Sequence, residues 1–148
     1  MNTNRAFHFV VNKLEFLRRV PLLPHLFDSW LRIWIFLSNP QLADCLDEIE
    51  TEVSGWKGIK IQNHKYGGTE FSFNHKEIGH IHSNGLMDVL LNKTIKMQLL
   101  QEGRISNHHV FPNSGWISFY VKTKDDSEYA LGLLKKSYAI RFERLSEE

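Results

Sequence analysis

Hydrophobic and polar positions first change period along this chain near residue 55. Before that point the apolar residues recur at helical spacing. Over residues 5–19, Phe9, Phe16 and Val20 fall near one stripe, with Phe7, Val10, Leu14 and Leu17 beside it. This predicts a broad amphipathic helix, which Pro21 and Pro24 end. A second helix is expected from Leu26 or Asp28 to Leu37. Asn39 is placed to cap a third, with Pro40 at its first position and Leu42, Leu46, Ile49 and Val53 on one side until Gly55.

From Trp56 the period becomes two. Ile59 and Ile61 alternate with Lys60 and Gln62, Tyr66 to Thr69 make a turn, and Phe71 and Phe73 share a face of the next strand. Asn74-His75-Lys76 reads as a hairpin turn into residues 77–83, and Ser83-Asn84-Gly85 as another, leading to a strand over residues 86–91. Asn92 and Gly103 bound a helix with Ile95, Leu99 and Leu100 inward. Residues 116–122 form the last strand, and Asp125 with Glu128 reads as a capping box for a final helix through Tyr138. Tight turns make neighbouring strands antiparallel. The expected fold is therefore α+β: an antiparallel sheet of about five strands packed by helices, with an N-terminal helical extension. Residues 1–55 form that extension and residues 56–148 the α+β domain, in one structural unit.

Composition adds limits rather than a direction. The 148 residues, 42% hydrophobic and 24% charged, suit one soluble domain. A formal net charge of +1 gives no global field, and no basic stripe with interleaved aromatics follows residue 56, so a nucleic-acid partner is not expected. The lone Cys45 excludes an internal disulfide and a multi-cysteine zinc site, and reads as a core residue. No secretory signal or membrane span is expected, because charged and polar residues interrupt the apolar runs. A cytoplasmic protein follows from that reading. Trp30, Trp34 and Phe36, with Arg18, Arg19 and Arg32 nearby, allow peripheral membrane contact through the N-terminal helices, but packing on the sheet or in a dimer seam is the commoner outcome and the favoured reading.

The densest chemistry lies in His80-Ile81-His82, with Asp88 beyond a turn, and in His108-His109 after the fourth helix. On a strand, His80 and His82 share a face. Paired imidazoles serve a metal, a proton relay or an acidic ligand. As ligands, His80, His82 and His108 have the nitrogen chemistry that zinc, iron or manganese accept, but Asp88 stands six residues after His82, unlike a cupin site. As proton carriers, His82 and His108 are the candidate base and acid, with His80 and Asp88 orienting them. The plain alternative is a partly exposed sheet face with solvated rings. Trp116 anchors the sheet or walls a pocket, and the Tyr138 hydroxyl needs a partner, for which a histidine is available.

Several separated motifs carry a family resemblance. His64 to Phe71, Glu77 to His82, Gly85 to Asp88, Glu102-Gly103-Arg104, His108-His109-Val110, Ser114 to Phe119 and Ser137-Tyr138 occur in the order seen in the luciferase-domain family. Pro21 to Pro24 and Phe27-Asp28 also resemble its short bacterial branch. The family is named for fungal luciferase, which oxidises a hydroxylated pyrone with O₂ without an established cofactor. The fungal proteins have a Gly-Trp-Gly-Glu-type stretch where this chain has Glu102-Gly103-Arg104-Ile105. The resemblance implies a small-molecule ligand, no cofactor, and a pocket lined by His80, His82, Asp88 and His108, here expected to be catalytic; the residue reading adds His109, Trp116 and Tyr138 as expected substrate-binding residues. Residues 116–138 also resemble the YjbR-like family of small α+β proteins. A non-catalytic ligand-binding or protein-interaction module, and a metal-dependent enzyme, stay open beside the oxidative enzyme.

Overall fold

A computed structural model of the chain describes residues 23–146, with side chains over 26–145; the helix expected over 5–19 lies outside the described residues. Four helices and six strands follow: α1 (Leu23–Ser38), α2 (Pro40–Ser54), β1 (Ile59–Asn63), β2 (Thr69–Phe73), β3 (Lys76–Ile81), β4 (Leu86–Leu90), α3 (Lys93–Glu102), β5 (Ser106–Asn107), β6 (Trp116–Tyr120) and α4 (Lys124–Ser146). The strands form one antiparallel sheet in the order β1-β2-β3-β4-β6-β5. The fold is α+β, and the sixth strand is the two-residue β5, too short to leave a periodic signal.

Local chemistry explains most boundaries. Asn39 accepts the Leu42 amide at 3.3 Å and Pro40 opens α2, which buries Leu42, Cys45, Leu46, Ile49 and Val53. Asn92 likewise caps α3, and Gly103 ends it with φ of 76°. Asn74 and His75, at φ of 50° and 64°, make the two-residue hairpin turn between β2 and β3. Three helix boundaries differ from the sequence reading. Pro24 lies in the first turn of α1, where it forfeits no helical hydrogen bond, so the helix begins before Leu26. The box that starts α4 is Thr123 with Asp126: Thr123 Oγ1 accepts the Asp126 amide at 3.3 Å, and Asp126 Oδ2 accepts the Thr123 amide at 3.1 Å. Asp125 instead pairs with Arg104 at 2.8 Å, and α4 runs past Tyr138 to Ser146.

The sheet has two chemically different faces. Ile61, Phe71, Gly79, Val89 and Ile117 lie in one register row, and they share a core with Ile49 and Val53 of α2 and Leu133 and Leu134 of α4. Gly79 permits this approach, since a Cβ there would stand 3.0 Å from Leu134 Cδ2 and 2.8 Å from the Asp88 carbonyl. The next row, Gln62, Glu70, His80, Asp88, Ser118 and Ser106, crosses all six strands and faces the other way. Among the described residues, no helix is long and apolar enough to cross a membrane.

Candidate active site

The polar row is the foundation of the site. Register sets His80 beside Asp88, and Asp88 beside Ser118. Glu77 joins them through an irregularity. Simple alternation would put Glu77 and His80 on opposite faces. The pairing shifts between Phe71 and Ser72, however, so that Ser72 meets Glu77 and Ile78 is left over. This bulge turns Glu77 toward the histidine, bringing Oε1 to 2.5 Å from His80 Nδ1.

His80 therefore sits between two carboxylates, with its Nε2 3.2 Å from Asp88 Oδ2. Burial alone would lower its pKa, but the carboxylates of Asp88 and then Glu77 beside its two ring nitrogens raise it to about 9. It is an imidazolium at neutral pH. Burial pushes Asp88 and Glu77 upward, yet the contact with His80 holds both below their ordinary values, and Ser118 Oγ helps by donating to Asp88 Oδ1. Asp88 Oδ2 differs from the other oxygens. It is fully buried, and although His80 stands at ion-pair distance, no donor among the described residues is aligned on it.

His108 approaches the same oxygen from the loop between β5 and β6, with Nε2 at 3.6 Å. Its Nδ1 accepts the amides of Val110 and Phe111 at 3.0 and 3.1 Å, so the proton of the neutral ring is on Nε2. His108 turns that N–H toward Asp88 from beyond hydrogen-bond distance. Burial, foremost, lowers its pKa and keeps it neutral. The exposed His109 stacks on it, with ring centroids 4.7 Å apart, and Trp116 lies 5.8 Å from His80 and 5.9 Å from His108. The loop is held from below by Lys96 of α3. This buried ammonium donates to the carbonyls of Pro112, Ser114 and Trp116 at 2.7, 2.9 and 3.0 Å.

Two more imidazoles surround His80. His64 stacks on it at 3.8 Å and 10° from parallel, and His82 stands edge-on at 5.1 Å. Burial, and then the charge on His80, lowers both to about 4. His64, His80 and His82 place ligand atoms within 4.8 Å of one another, as do Asp88, His108 and His109. Neither set fits a metal as arranged. Imidazole lone pairs lie in the ring plane, so stacked parallel rings cannot aim at one ion about 2.0 Å from each nitrogen. Both His80 nitrogens also face carboxylates.

The structure thus brings His80, His82, Asp88, His108, His109 and Trp116 together. Tyr138 is elsewhere: its hydroxyl donates to the Lys57 carbonyl at 2.9 Å, and its ring packs on Trp56 and Phe73 on the helix-covered side. Glu77, His64, Ser118 and Lys96 are members that sequence reasoning did not assign. Residue spacing hid Glu77 behind the bulge, whereas Ser118 was available from the polar positions of β6. Two surface clefts, of about 190 and 280 Å³, contain none of the histidines.

A family model described as Luciferase domain matches residues 75–137. The matched segment runs from the β2–β3 turn into α4 and includes every member of the cluster except His64. Comparison with curated proteins and with solved structures gave no match.

Proposed function

We propose, for a chain that belongs over residues 75–137 to the luciferase-domain family, that it is an enzyme which deprotonates a small enolic or phenolic compound and so primes it for oxidation by O₂. The observation that carries this reading is Asp88 Oδ2, a fully buried carboxylate oxygen with no aligned donor, flanked by the Nε2 atoms of His80 and His108. A substrate hydroxyl supplies the missing donor. The His80 imidazolium behind Asp88 favours the enolate by lowering the hydroxyl's own pKa. The hydroxyl proton is released to solvent, since His82, lowered to about 4, is too weak a base to hold it, and His108 Nε2–H donates to the oxygen on which charge develops. Trp116 and His109 offer flat surfaces to a planar ring. The enolate's carbanion form then passes its electrons to O₂ as a carbon–oxygen bond forms, and a proton from solvent completes the resulting hydroperoxide. Such chemistry draws its electrons from the substrate itself.

One observation favours a second reading, a non-catalytic module. Glu77, His80, Asp88 and Ser118 already satisfy much of one another's chemistry, and the described clefts lie elsewhere. Titration with a 3-hydroxypyrone in weakly buffered solution separates the two. The enzyme reading expects binding with release of the hydroxyl proton, seen as the enolate absorption band, and its loss in Asp88→Asn. Equal spectra for wild type and Asp88→Asn would remove the basis for catalysis.

A further inference from the structure

The two clefts lie on the far side of the molecule from the histidines and share two residues of α4, Arg141 and Arg144. Lys76 at the start of β3 completes the first, and Lys93 at the start of α3 the second. No Asp or Glu among the described residues lines either one. Elsewhere in the chain, Arg32 pairs with Asp28 and Glu50, and Arg104 with Asp125 and Asp126. Arg141 and Arg144 have no such partner among the described residues. They stand three apart on one helix, where like charges repel.

Helix electrostatics account for only part of the arrangement. Cations near the end of α4 complement its negative pole, which covers Arg144. Lys93 has the opposite setting: it opens α3 at the helix's positive end, with no acidic residue in the first turn. Arg141 is half-buried, and burial followed by the charge on Arg144 lowers its pKa. The repulsion is relieved if an anion occupies the space between the cations.

We infer that the paired clefts around Arg141 and Arg144 bind a small organic oxyanion, a phosphate or carboxylate carried on a compact apolar body. The guanidinium forks match the geometry of both groups, and Lys76 and Lys93 add point charges at the two ends. Phe73 and Leu145 in one cleft, and Leu90 and Ile140 in the other, suit the apolar part. The site is independent of the histidine cluster, and both of its arginines lie beyond the segment that matches the family model.

Calorimetry with inorganic pyrophosphate and with citrate, at low ionic strength, tests the site directly. Saturable binding of either is expected, and preference between the two identifies the headgroup. The Arg141→Gln/Arg144→Gln double variant should weaken it about tenfold or more, because two charged contacts are lost. Amide shifts of Asn92 and Gly115 on adding the anion should disappear in that variant. Lys76→Gln/Lys93→Gln, on separate elements, should weaken binding to a smaller degree. Absence of saturable binding up to about 10 mM, which is weaker than about 3 kcal/mol of binding free energy, would overturn the inference. So would equal binding by the arginine double variant, or shifts confined to other surfaces.

Discussion

At the scale of single residues, the account turns on His80. An imidazolium between two carboxylates in a buried setting is stabilising only while all three partners are present. Removing it leaves Glu77 and Asp88 facing each other without a counter-charge. His80→Ala should therefore cost roughly 3–5 kcal/mol in urea-induced unfolding, and a loss below about 1 kcal/mol, the range of an exposed pair, would contradict the arrangement. The sequence marks His80, His82, Asp88 and His108 because their residue types advertise chemistry. It does not mark Glu77, since alternation assigns that side chain to the wrong face. Only the pairing of Ser72 with Glu77 reveals the extra residue at Ile78, and a bulge depends on the partner strand.

Among the elements, Lys96 has the clearest consequence. Its ammonium satisfies three carbonyls of the loop that presents His108, His109 and Trp116, so α3 and that loop act as one support. Lys96→Met keeps the apolar stem but leaves those carbonyls without their donor. Stability should fall by roughly 2–4 kcal/mol, the scale of lost charge-assisted bonds and unsatisfied carbonyls, and Trp116 should become more mobile. Thermal melts and fluorescence anisotropy check both; unchanged values for each would show the clamp to be incidental. Helix limits were largely legible, because caps such as Asn39, Asn92 and Gly103 act locally. Lys96 was not, as its amphipathic neighbours place it on a solvated face until the folded loop returns over it. The start of α4 was misplaced because Asp125 and Asp126 both suit a first turn, and only the bonds with Thr123 single out Asp126.

For the whole molecule, the cluster sets the dependence of stability on pH. His64 and His82, lowered to about 4, stay neutral in the folded protein while the unfolded chain takes up protons below about 6.5. Stability therefore falls as pH drops from about 6.5 toward 4, where the depressed carboxylates Asp88 and Glu77 begin to add their own loss. His80 acts in the opposite sense. Raised to about 9, it contributes fully below the unfolded value of about 6.5, and that contribution is lost as pH rises through about 9. A maximum in melting temperature near pH 6–7 is expected from these opposing limbs. A curve that rises steadily to pH 9 would be incompatible with a charged His80. The overall α+β architecture was readable from the change in period at residue 55, since both helix and strand periods are local. The sharing of one core by α2, the sheet and α4 required the fold itself.

The most direct test of the central claim is nuclear magnetic resonance titration of the histidine ring nitrogens in wild type and Glu77→Gln. In wild type, both His80 nitrogens should remain protonated until about pH 9, while His64 and His82 stay neutral down to about pH 4. Glu77→Gln should move the His80 midpoint downward, because the Nδ1–H partner loses its charge. A His80 that titrates near the ordinary value of about 6.5, or a midpoint indifferent to Glu77, would contradict the charged relay and the proton chemistry built on it.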